Sequence, residues 1–323
     1  MSLNLEISDK NNPETNTCFG KNYTSFYQGI NKEFKDTFFF EYFIQLIIIA
    51  LIYFNMGKGK YWKVIFYSSL VGLLGGILEH STLAYICKIS QKENKTRVYT
   101  FFIGEFFWII AEYSIPYLNL LKMETIAEKR GKRIIEWIVY IFFIPFVIAR
   151  LFDGYDRMME GVLNTKISEQ CHGVAYGSIA IADISCTFGM IHFIKKRVKT
   201  NSTNVTTVMS YFMNSSYTIL ILIDIVSFFL SVLYLVTTFL SSNNDLSSSP
   251  MPFHCIKTVF LMILAVDALI FRHEVKFSSI NNSRSHSKVS KKKMLRESKF
   301  GIKSYGGEGT SFDNGNANYS FCV

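Results

Sequence analysis

Apolar residues gather along this chain in long blocks separated by short polar runs. Seven blocks approach the roughly 20 residues that a helix needs to cross a hydrocarbon core. They run from about Thr37–Asn55, Val64–Cys87, Val98–Leu121, Ile134–Leu151, Gly173–Ile194 and Tyr217–Leu240 to Cys255–Phe271. In most of them apolar side chains occupy every face, unlike the single stripe of a soluble amphipathic helix. Nor do they show the ten-residue alternation of a membrane barrel. The expected fold is all-α, an integral membrane bundle of seven helices. The fifth block is rich in Gly and Ala and the seventh is short. Loss of either would leave six spans and move the C-terminus across the membrane. Residues 1–36 then form an N-terminal arm, 37–273 the bundle, and 274–323 a basic, Ser-rich tail whose composition reads as disordered.

Composition supports the same picture. The chain is 49% hydrophobic and 18% charged, against about a quarter charged in soluble domains. This excludes a soluble enzyme and a disulfide-framework miniprotein. The formal charge of +9 sits mostly beside the apolar blocks. That fits a bilayer surface as partner, and no nucleic acid. The first, third and fifth loops are the basic ones, with Lys58, Lys60 and Lys63, then Lys122, Lys129, Arg130, Lys132 and Arg133, then Lys195, Lys196, Arg197 and Lys199. Positive residues stay cytoplasmic, so the N-terminus is expected outside and the C-terminus in the cytoplasm of a multi-pass plasma-membrane protein. The polar start of the chain holds no cleavable signal pattern.

Four cysteines, Cys18, Cys87, Cys171 and Cys255, fall on the expected outer side. That is a disulfide pattern on an oxidising face. Three pairings are open; the favoured one joins Cys87 to Cys171 and Cys18 to Cys255, the alternative being free thiols. Asn22 and Asn94 begin glycosylation sequons on the same side, but Asn201, Asn204, Asn214, Asn281 and Asn318 begin others on the expected inner side, so sequons do not decide the orientation.

Ionisable residues inside a span are costly and face the bundle interior. Glu79 and His80 lie in the second span, Glu105 and Glu112 in the third, Asp183 in the fifth, Asp224 in the sixth and Asp267 in the seventh. Glu105 and Glu112 are two turns apart and share a face, with Trp108 between them. Pro116 disturbs the backbone carbonyl of Glu112. Gly72, Gly75, Gly76 and Glu79 share another face, and Gly72-x-x-x-Gly76 permits close helix approach. A ligand pocket bounded by Glu79, His80, Glu105, Trp108 and Asp183 is expected, with an acidic lining suited to a cation. Glu112, Asp224 and Asp267 form an inner polar cluster. The competing reading is that each carboxyl merely hydrogen-bonds a neighbouring helix.

No enzyme is expected, and no cofactor or metal. The centre of the seventh span lacks a lysine for a Schiff base. His80 and His192 fall at opposite ends of the bundle, so they cannot share a zinc ion. Gly57-Lys58-Gly59-Lys60 lacks phosphate-loop spacing. Lys129, Arg130, Lys132, Arg133, Lys195, Lys196 and Arg197 are read as contacts for lipid or an effector. The cluster Lys288–Arg296, interleaved with serines, is read either as an electrostatic switch or as a plain anchor.

Seven spans, an outer N-terminus, basic inner loops, outer cysteines and a Ser-rich tail together resemble a G-protein-coupled receptor-like protein, over about Thr37 to His273. The resemblance lies in topology. At the inner end of the third span stands Asn119-Leu-Leu-Lys-Met123 where rhodopsin-like receptors carry Asp/Glu-Arg-Tyr. The seventh span has Val266-Asp-Ala-Leu-Ile270 in place of Asn-Pro-x-x-Tyr. The resemblance implies a small extracellular ligand and a cytoplasmic signalling partner such as a G protein. The alternative is a carrier or channel whose intramembrane carboxylates bind a proton or cation.

Overall fold

A computed structural model describes residues 10–35, 37–56, 59–91, 94, 96–124, 127, 129–200, 217–240, 250–270 and 272–273. Every long element in it is helical. The short α1, Phe26–Glu33, lies in the arm. It is followed by α2 (Thr37–Met56), α3 (Lys60–Ile86), α4 (Tyr99–Glu124), α5 (Lys129–Glu160), α6 (Lys166–Thr200) and α7 (Tyr217–Leu240). The last two, α8 (Met251–Thr258) and α9 (Phe260–Ile270), meet at an angle of 44°. Among the described residues five helices, α2, α3, α5, α6 and α7, are long and apolar enough to cross a membrane, or six if α8 and α9 make one broken span. At 26 residues α4 has the length as well, but Glu105 and Glu112 lower the apolar character of its centre.

Sequence neighbours pack against one another from α2 round to α8, α8 touches α2 again, and α4 also packs on α6. The helices therefore close a ring. The helix α5 explains how charged residues fit inside it. Ile134, Trp137, Ile141, Ile144, Ile148, Phe152 and Tyr155 are all exposed and recur at helical spacing, giving α5 an apolar outer stripe. Arg150, Asp153 and Arg157 are buried on the opposite side. The sequence reading ended this span at Leu151 because the apolar run breaks there. The helix continues to Glu160 because the charges face inward. Likewise α6 begins at Lys166, ahead of the expected Gly173. The bend between α8 and α9 replaces the expected unbroken seventh span.

Glycines set two of the contacts. A Cβ on Gly154 of α5 would lie 2.4 Å from Glu105 Cγ and 3.3 Å from the Phe102 Cα on α4. A Cβ on Gly75 of α3 would meet Phe107 Cβ at 3.1 Å, with the Trp108 ring behind it. The expected close approach along α3 thus occurs, most tightly at Gly75.

The arm covers one end of the bundle. In α1, Ser25 caps the helix by accepting from Gln28 N at 3.2 Å, and Gln28 Oε1 accepts from Thr24 N at 2.7 Å. This reciprocal pair starts a helix too short to stand alone. Tyr23 bridges to Lys88 beyond α3. On the opposite flank Leu163 N donates to Thr17 Oγ1 at 2.7 Å, and Asn164 N to Thr15 O at 3.1 Å.

A disulfide joins Cys18 to Cys87, fixing the arm to the end of α3. Neither Cys171 nor Cys255 is in a disulfide. The favoured pairing is therefore corrected. Sequence placed all four cysteines at one end of the bundle but carried no information about the arm. The backbone bonds Tyr23 N to Cys87 O (3.3 Å) and Ile89 N to Tyr23 O (3.0 Å) bring the arm beside the end of α3.

Candidate functional site

Beneath the arm lies a cavity of about 340 Å³. Its wall includes Tyr42 of α2 and Trp108 of α4, ring centroids 5.3 Å apart. Its roof includes Asn16, Lys21, Glu33, Leu163 and Asn164. The buried Glu33 binds Lys21 at 3.0 Å, accepts from the Tyr23 hydroxyl at 2.5 Å and lies 3.8 Å from His80 Nδ1. Burial pushes the Glu33 carboxyl up. His80, Tyr23 and Lys21 together outweigh that and hold it below the ordinary 4.5.

The floor is a chain of alternating charges across four helices. Glu79 of α3 pairs with Arg157 of α5 at 3.1 Å, and Arg157 with Glu105 of α4 at 2.8 Å. Glu105 lies 3.0 Å from Arg150 of α5, and Arg150 lies 3.7 Å from Glu112 of α4. Glu112 ends the chain 3.2 Å from Lys257 of α8. Trp108 Nε1 also donates to Glu79, at 3.3 Å, and Lys257 lies over the Tyr176 ring, 3.6 Å from its centroid. Asp153 sits 3.4 Å from His172 and 3.8 Å from Arg150. Charges removed from water persist only when paired in this way.

The spacing of the sequence accounts for the chain. Glu105 and Glu112 are seven residues apart on α4, and so are Arg150 and Arg157 on α5. Each pair occupies one face, two turns apart. The helices run antiparallel, so the two faces interleave in register: Arg157, Glu105, Arg150, Glu112. Gly154, midway between the arginines, provides the close approach.

Of the five residues expected to bound the pocket, Glu79, His80 and Trp108 line it. Glu105 is fully buried behind the wall between the two arginines. Asp183 is a correction: it is fully buried elsewhere and accepts a 2.9 Å bond from Asn119 Nδ2. The acidic lining is corrected too, because Arg150, Arg157 and Lys21 line the same cavity.

The expected inner cluster separates. Glu112 lines the cavity. Asp224 interacts with Thr187 and faces Asp183. Asp267 pairs with the buried Lys122 at 2.6 Å, so Lys122 belongs to the bundle interior rather than to a loop.

Of the residues read as effector or lipid contacts, Lys132 pairs with Glu124 at 3.3 Å, and Arg133, Lys195 and Lys196 are exposed. The side chains of Lys129, Arg130 and Arg197 lie outside the described residues, as does the tail from 274 to 323. Sequence reading missed Arg150, Arg157, Lys257, His172 and Tyr42. Counted linearly, Arg150 and Lys257 fall at the edges of apolar blocks and Arg157 falls beyond one. The matching seven-residue spacings were the signal that could have recovered the arginines. Among the described residues no group of three or more metal-ligating side chains converges.

No family model, no curated protein and no solved structure matches this chain.

Proposed function

We propose that the chain is a seven-pass membrane receptor that takes a small ligand into the cavity beneath its arm and transmits that binding to the opposite end of the bundle. The observation that carries this reading is the asymmetry of the bundle. The cavity lies at the arm end. The other half is filled by an apolar cluster that includes Tyr61, Trp62, Leu118, Leu121, Phe260 and Leu264. A ligand that prefers one of two packings of such a bundle shifts their populations. The Lys122–Asp267 pair, joining α4 to α9, is the contact most directly exposed to that shift.

Seven passes follow if α4 counts as a span, its glutamates being paired within the ring, and if α8 and α9 count as one. The arm then faces outward from the plasma membrane, in keeping with the basic α2–α3, α4–α5 and α6–α7 connections. The cytoplasmic partner, a G protein or another effector, would meet those connections.

Ion flux through purified protein in proteoliposomes tests the reading. A receptor gives none, with or without ligand. Reproducible flux would replace it with the carrier reading, which the buried Asn119 and Asp183 and the half-buried Asp224 favour, since they extend polar groups past the cavity.

A further inference from the structure

Charge balance and aromatic placement narrow the ligand class. The inference rests on the cavity being a binding site. Three bases, Lys21, Arg150 and Arg157, and three acids, Glu33, Glu79 and Glu112, line it. Immediately behind them Lys257 and Glu105 add one of each sign. The lining imidazole of His172 lies 3.4 Å from the buried Asp153 and is not counted as a charge. A ligand with a net charge would leave that charge without a counterpart in a site where unpaired charge is costly.

Two lining groups keep capacity for a ligand. Glu79 accepts from both Trp108 and Arg157 on Oε2 alone, and its side chain is 24% exposed. Lys21, on the arm, is 29% exposed. The indole that bonds Glu79 also forms the cavity wall with Tyr42. An aromatic face beside a carboxylate is the arrangement that attracts an ammonium group.

We propose that the cavity binds a small, net-neutral zwitterion, with its ammonium group at Glu79 and Trp108 and its acid group toward Lys21. A volume of about 340 Å³ is at the small end of ligand pockets and suits a single amino acid or a molecule of that size.

Three probes on one skeleton test this against the full-length protein in nanodiscs: phenylalanine, phenethylamine and 3-phenylpropionate. Titration calorimetry is expected to show phenylalanine binding at least tenfold more tightly than either singly charged probe. Lys21→Gln removes a base from the arm, and phenethylamine should become the best of the three. Glu79→Gln removes an acid, and 3-phenylpropionate should take that place. Should Glu79→Gln fail to fold, Lys21→Gln alone decides. The proposal is overturned if a singly charged probe matches phenylalanine on the unaltered protein. It is also overturned if none of the three binds, or if the folded variants keep the original order. Phenylalanine binding accompanied by ion flux would uphold the zwitterion and remove the receptor reading, so the two fail separately.

Discussion

Arg157 is bonded to two acids from two helices, Glu79 and Glu105, and its guanidinium lies 4.9 Å from the centroid of the Phe101 ring. Breaking a buried pair by removing one partner costs about 3–5 kcal/mol, because the other charge stays behind unpaired. Arg157→Met should therefore lower the unfolding temperature of the purified protein sharply. The double variant Arg157→Met, Glu105→Gln should recover part of that loss. A single variant as stable as the parent would show that the charge chain is not required for stability. Glu33 gives a prediction in pH. Its carboxyl is held below 4.5 in the folded arm, so it binds a proton less readily there than in an unfolded chain. Its stabilising contribution is complete above about 4.5 and is lost as pH falls through the lower folded value. Hydrogen exchange of residues 10–35 should accelerate over that range. Glu33→Gln should make exchange fast at neutral pH and remove the acid step.

At the scale of elements, Gly154 at the α4–α5 contact and Gly104 of α4 separate steric fit from propensity. Gly154→Ala places a methyl group against Glu105 and the α4 backbone, and forcing the helices apart should cost about 1–3 kcal/mol. Gly104→Ala, on α4 itself, meets nothing within 4 Å. It should be neutral or stabilising by up to about 1 kcal/mol through helix propensity. Thermal unfolding of the two variants side by side checks both; equal effects would mean that α4 and α5 do not approach as described. The same helices show what the sequence could reveal. Hydropathy located every long helix, because a block that is apolar all round has few alternatives to the bilayer. It misplaced the end of α5, since a run containing Arg150, Asp153 and Arg157 looks like a loop when counted linearly and like an inward face when counted helically. It also scattered the site. Glu79, His80 and Trp108 were legible because costly groups face inward. Their basic partners lie on another helix, and only a register match between α4 and α5 connects them. Asp183 was misassigned because depth along a helix does not specify which neighbour a side chain faces. The partner of Cys87 depended on how the arm folds, and an arm of polar residues carries little periodic signal.

At the scale of the molecule, the two sequons at the arm end give a topology that experiment can read. Asn22 and Asn94 are both exposed beside the arm. If that end faces the secretory lumen, protein made in eukaryotic cells should lose mass on deglycosylation, and Asn22→Gln with Asn94→Gln should abolish the shift. Tags on the two chain ends should be reachable from opposite compartments. Tags on the same side would reduce the number of spans to an even one and invert the assignment of the effector face. The cavity and charge chain would survive that outcome, because they depend on packing between helices and not on which face is cytoplasmic.

The arm's two attachments differ in kind. Towards α3 it is cross-linked through sulfur; towards the α5–α6 turn it is held by the bonds that Leu163 and Asn164 make to Thr17 and Thr15. A lid with one welded edge can swing only from the other. If the chamber takes a ligand as proposed, entry is steered to the seam beside residues 161–165, and whatever loosens that seam sets how fast a guest arrives and leaves. Thr17→Val would remove one of the two latch bonds without touching the weld, quickening both passage rates.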